Sequence, residues 1–72
     1  MSVLAVSQGG LFLVDVDRQL VYLDVVREQA RAVPAGIHRA SVLGRQGWRD
    51  PDEREVELAR MFEGTARRLL AA

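Results

Sequence analysis

Leu11-Phe12-Leu13-Val14-Asp15-Val16-Asp17-Arg18-Gln19-Leu20-Val21-Tyr22-Leu23-Asp24-Val25-Val26 is the stretch that decides the fold. Two runs rich in Val, Leu and aromatic residues flank a polar centre, a pattern that predicts two strands, about 11–16 and 20–26, joined by a reversal. A reversal centred on Arg18-Gln19 pairs Val16 with Val21, Val14 with Leu23 and Phe12 with Val25, which makes one face wholly apolar. Neither Arg18 nor Gln19 favours positive φ, so a loop over residues 17–20 is expected there in place of a tight primed turn.

Upstream, residues 3–6 form another short apolar run, and Gly9-Gly10 supplies positive φ for a hairpin. A loop of those two glycines sets Val3, Ala5 and Ser7 on the face of Phe12, completing an antiparallel meander. The opposite face then carries Leu4, Val6, Leu11, Leu13, Tyr22 and Val26, interrupted only by Gln8, Asp15 and Asp24. A sheet with one wet face alternates apolar with polar, whereas unbroken runs such as Leu11-Phe12-Leu13-Val14 belong to a sheet covered on both sides. Two covers are therefore needed.

Downstream, residues 51–70 predict one helix. Asp50 is placed to cap it, Pro51 fits the first helical position, and Glu53 sits where a capping acid reaches back. Leu58, Met61, Phe62, Thr65 and Leu69, flanked by Ala66 and Leu70, recur at helical spacing. Acids crowd the first turns, Arg67 and Arg68 the last, and Glu63 can pair with Arg67. Gly64 interrupts the stripe, through either a close approach to the sheet or a tolerated weakness. Between sheet and helix, residues 27–32 suit a helix or an extended segment, ended by Pro34. Residues 37–43 suit a fourth strand or a two-turn helix closed by Gly44, with the strand preferred. A loop through Gly44, Arg45, Gln46 and Gly47 follows, with Trp48 packing back onto the helix.

The expected fold is α+β: a three- or four-stranded antiparallel meander (about 3–6, 11–16 and 20–26, with 37–43 as the fourth strand) against one C-terminal helix (about 51–70). A length of 72 residues and 8.0 kDa allows one small domain, comprising a meander over 1–26, an Arg-rich connection over 27–49 and a helix over 50–72. With 49% apolar and 28% charged residues the chain has a folding composition. The absence of Cys excludes disulfides and thiolate chemistry, and a single His excludes a multi-histidine metal site. Ten cations, all Arg, balance ten acids, which removes any bulk electrostatic drive toward polyanions or anionic membranes. The opening Met1-Ser2-Val3 has no basic stretch or long apolar run, so a cytoplasmic protein without a membrane partner is expected.

Three groups of residues bear on chemistry. Arg27, Arg31, Arg39, Arg45 and Arg49 exceed the acids of the middle segment, and Arg39, Arg45, Trp48 and Arg49 form a candidate anion or nucleic-acid contact in which Trp48 stacks a base. The competing reading is a solvated loop whose Arg side chains pair with the acidic start of the helix. Asp15, Asp17 and Asp24 cluster around one hairpin and have the oxygen chemistry of a cation site; turn formation and protection of sheet edges explain them equally. His38 and Ser41 lie three apart, but no nucleophile-elbow pattern surrounds Ser41, and Gln8-Gly9-Gly10 lacks the spacing of a phosphate-binding loop. No catalytic residue, metal ligand or cofactor is assigned.

The run Leu20-Val21-Tyr22-Leu23-Asp24, with Arg27 to Pro34 after it, resembles the final strand and tail of hotdog-fold acyl-CoA thioesterases. The long central helix of that fold, with its catalytic acid, has no counterpart before this strand, so the resemblance implies no activity here. The residues themselves favour a non-enzymatic interaction or regulatory module, adaptor-like or antitoxin-like. It would act through the Leu4, Val6, Leu11, Leu13, Tyr22 and Val26 face and the C-terminal helix, as a homodimer or with a protein partner. A nucleic-acid-binding protein is the alternative, and a small hydrolase or metal-dependent enzyme the third class.

Overall fold

The computed structural model describes residues 1–45 and 47–71; Gln46 of the Arg-rich loop and Ala72 lie outside the described residues. The expected α+β class is what forms. Strands β1 (Ser2–Ser7), β2 (Leu11–Val16), β3 (Gln19–Asp24) and β4 (Gln29–Ala32) build an antiparallel meander. A two-residue β5 (Trp48–Arg49) adds to the far side of β1, giving the order β4-β3-β2-β1-β5. Among the described residues there are also three helices, α1 (Arg39–Leu43), α2 (Glu53–Arg60) and α3 (Glu63–Ala71).

The decisive hairpin turns more tightly than its residues suggest. Asp17 and Arg18 both take positive φ, 51° and 68°, and form a two-residue turn. Asp tolerates the left-handed region, and the Asp15 carboxylate accepts the Arg18 amide at 2.9 Å, holding the reversal. Val14 therefore pairs with Val21 and Phe12 with Leu23, a register two residues away from the expected one. Because side chains alternate with period two, this slip leaves every residue on its expected face.

A slip of one residue does not. The first hairpin uses a loop over 8–10 in which Gly10 alone has positive φ (85°), and the Leu11 amide donates to Ser7 Oγ at 3.0 Å. Val6 consequently pairs with Phe12 and Ala5 with Leu13, and a bulge between Val3 and Ala5 restores Val3 to the face of Val14. Sequence pattern alone puts Val6 outside and Ala5 inside; the loop length reverses both.

One sheet face is closed by the C-terminal helices. Val6, Phe12, Val14, Val16, Val21 and Leu23 pack there against Ala59 and Ala66, with Phe62, Leu69 and Leu70 around them. The single expected helix is two. Asp52, not Asp50, is the N-cap, and Glu55, not Glu53, completes the capping box: Asp52 Oδ1 accepts the Glu55 amide at 2.8 Å and Glu55 Oε1 accepts the Asp52 amide at 2.9 Å. At Met61-Phe62 the hydrogen bonds tighten, the Phe62 amide reaching Ala59 at 3.0 Å, and the helix breaks. The break turns Leu58 and Met61 outward, with Met61 76% exposed. A β-carbon on Gly64 would meet nothing within 4 Å, so this glycine is a weak point of α3 and not a close approach to the sheet.

The other face is closed by the middle segment of the same chain. Ala5, Leu13, Val33 and Val42 are buried together, with Leu4, Leu20, Tyr22, Ile37, Leu43 and Trp48 packed around them. Residues 37–43 do not form a strand: α1 inserts Val42, which is fully buried, over Leu13. Residues 29–32 supply the fourth strand, entered through a turn in which Asp24 Oδ1 accepts the Val26 and Arg27 amides at 3.1 and 3.0 Å and Glu28 takes φ 54°. No helix among the described residues is long and apolar enough to cross a membrane.

Candidate functional site

A surface concavity lies where the sheet ends. β4 is the outermost strand, α3 runs alongside it, and an open groove of about 630 Å³ follows the junction. Pairing assigns its lining to both sides of β4. Ala30 faces α3 because it lies opposite Leu23, and Thr65 and Leu69 of α3 line that side. Arg31 lies opposite Tyr22, and with Leu11 lines the other side. The groove therefore wraps around the free edge of the strand.

Its charges are unevenly satisfied. Asp24 is occupied by the two turn amides, and its Oδ2 lies 3.9 Å from Arg27 Nε. Arg68 donates to Thr65 Oγ1 at 3.2 Å, and neither Arg68 nor Arg31 has a carboxylate partner among the described residues. Glu28 is the remaining acid in the lining. Apolar surface on Leu11, Tyr22, Ala30 and Leu69, with guanidinium groups at the rim, suits a chain that brings apolar side chains and carboxylates together.

The proposed interface residues do not share one open face. Leu13 is completely buried and Val6 lies beneath the helices, so neither is available at the surface. Leu4 and Tyr22 are half-buried under the middle segment. Val26 is 85% exposed, but on the β3–β4 turn and not on the sheet. Leu11 and Tyr22 alone reach the groove.

The Arg-rich set is dispersed as well. Trp48 stacks on Tyr22, with ring centroids 6.4 Å apart and planes 16° from parallel, so its face is spent within the chain and does not pack onto the helix. Arg49 makes a two-pronged ion pair with Glu55, one arm at 2.7 Å, and donates to the Asp50 carbonyl at 3.2 Å. That pair, reinforced by the Asp52 amide, holds the Glu55 carboxyl down at about 2 and raises Arg49. Arg39 and Arg45 stay exposed.

Nor do the three aspartates converge. The two-residue register slip puts Asp24 opposite Leu11, at the far end of the ladder from Asp15. Asp17 instead accepts from Arg67 Nη1 at 2.9 Å. Arg67 also holds Glu63, 3.1 Å away, and lowers its pKa. Among the described residues, no three His, Cys, Asp or Glu side chains are grouped to hold a metal ion. His38 and Ser41 are both exposed and are joined through the Ser41 amide and the His38 carbonyl at 3.0 Å. A second hollow beside them, of about 330 Å³, is lined mainly by polar groups of the β2–β3 turn and residues 33–39.

The chain matches no protein-family model, no curated protein and no solved structure. The thioesterase resemblance finds no added support: among the described residues no helix precedes β3, and the strand that resembles a final one is followed by β4.

Sequence reasoning had Leu11, Tyr22, Arg27 and Arg31 in view but did not bring them together with Arg68 and Leu69. The missing signal is Gln29-Ala30-Arg31-Ala32, a period-two alternation of polar residues with alanine. It reads as a short edge strand once the Asp24 turn is recognised.

Proposed function

We propose that this protein is a non-enzymatic interaction module, adaptor-like or regulatory, whose working surface is the groove between the β4 edge and α3. The observation that carries this reading is the lining itself: an apolar floor, two guanidinium groups without carboxylate partners, and an edge strand, side by side. The sheet face expected to play this role is occupied by Val33, Ile37, Val42, Leu43 and Trp48, and with it goes the reason for invoking a second subunit. A different protein chain is therefore the partner, met in the cytoplasm.

Site-specific photo-crosslinking in the native host tests this. A benzophenone residue in place of Arg68 should give a discrete protein adduct, whereas the same residue in place of the exposed Arg54 on α2 should not. Equal labelling from both positions, or none from position 68, would remove the reading.

A further inference from the structure

The hydrogen-bond alternation along β4 specifies what the groove takes. The Val33 amide donates to the Leu20 carbonyl at 2.9 Å, so in the antiparallel ladder residues 33, 31 and 29 direct their N–H and C=O toward β3. Ala30 and Ala32 direct theirs outward. No turn or loop hydrogen bond among the described residues uses them. The free edge thus offers two donors and two acceptors, carried by the smallest side chains of the strand, with Ala30 lining the groove.

Charge excludes a second copy of this chain from that edge. In a symmetric antiparallel pairing, only one register engages both alanines, placing Ala30 opposite the other copy's Ala32, and it puts Arg31 directly against its own counterpart. Shifting one way brings in Glu28, whose positive φ takes it out of the strand. Shifting the other way brings in Pro34, which has no N–H to give.

We infer that β4 accepts an extended segment of another protein as a sixth, antiparallel strand, with an acidic residue opposite Arg31 and apolar residues on either side of it. Residues directly opposite share a face, so the acid meets Arg31 beside Tyr22. Its neighbours, opposite Ala30 and Ala32, exchange main-chain hydrogen bonds and turn their side chains toward α3, where Leu69 lies. Arg68 stands at that side for a further carboxylate. This assignment rests on the interaction-module reading and names its partner's chemistry.

The probe is the peptide acetyl-Thr-Val-Glu-Val-Thr-amide, titrated into the full chain and followed by backbone amide shifts. Saturable shifts centred on Ala30, Arg31 and Ala32 are expected. Replacing its Glu by Lys should weaken binding about tenfold, and Arg31→Glu in the protein should reverse that preference. Methylating both Val amides should abolish binding, whereas methylating the Glu amide, which points away from β4, should leave it unchanged. No shift at the edge up to millimolar peptide, or indifference to Val methylation, overturns strand addition. An adduct at position 68 together with that result would leave the module reading standing and discard only this mode of binding.

Discussion

The two faces of this sheet are buried equally well by covers of very different kinds. Over Phe12, Val14, Val21 and Leu23 lie α2, with its capping box, and α3, both periodic. Over Leu13 and Ala5 lies a stretch with one short helix, in which Val33, Ile37, Val42, Leu43 and Trp48 follow no period. Burial needs only apolar surface delivered to the right place, and a helix is one means of delivery among several. The second cover also takes up Trp48, and Arg49 is paired with Glu55, whereas Arg39 and Arg45 stay exposed.

The largest test of this comparison sets Leu13→Ala against Leu23→Ala. Both side chains are fully buried, one under each cover, so each substitution should lower unfolding free energy by about 2–5 kcal/mol in denaturant titrations. A cost for Leu13→Ala well under 1 kcal/mol would mean that its cover is absent in solution. Val42→Ala sharpens the point, because Val42 is the buried residue of α1. Removing its methyl groups should cost about 1–2 kcal/mol, the better helix propensity of alanine returning part of the loss. On the helical side, Gly64→Ala has open space and an ordinary helical conformation to enter, and should stabilise by about 0.4–1 kcal/mol in the same assay.

The smallest effect concerns the join between the covers, where Arg49 of β5 holds Glu55 of α2. The folded Glu55 pKa, about 2, lies below the ordinary carboxylate range near 4.3. Its stabilisation is therefore complete above that range and is lost as pH falls toward 2. Titration by NMR should place the Glu55 midpoint near 2, and Glu55→Gln should flatten the acid limb of stability against pH. High salt should shrink the difference, since the pair is largely exposed.

How much of this was legible follows the same division. Strand 11–16, the helix-facing set Phe12, Val14, Val16, Val21 and Leu23, and the need for two covers can all be read from period-two patterning. Register cannot, because Asp17-Arg18 adopts a turn that glycine or asparagine would have announced, and Asp15 supports it from outside the turn. The fate of Val6 hinges on one residue of loop length, and that of Met61 on a helix break without proline. The candidate site was harder still. Its guanidinium groups come from residues 37 apart in sequence, Arg31 and Arg68, which only the docking of α3 along β4 brings to one groove.

The proposal that the β4 edge offers its main chain to a partner is tested most directly by residue-resolved amide hydrogen exchange on the free protein. Arg31 and Val33, which donate into β3, should exchange slowly, and Ala30 and Ala32, which alternate with them along the strand, should exchange at nearly the rate of an open chain. Uniform protection across all four amides would show the edge already covered and would contradict the account.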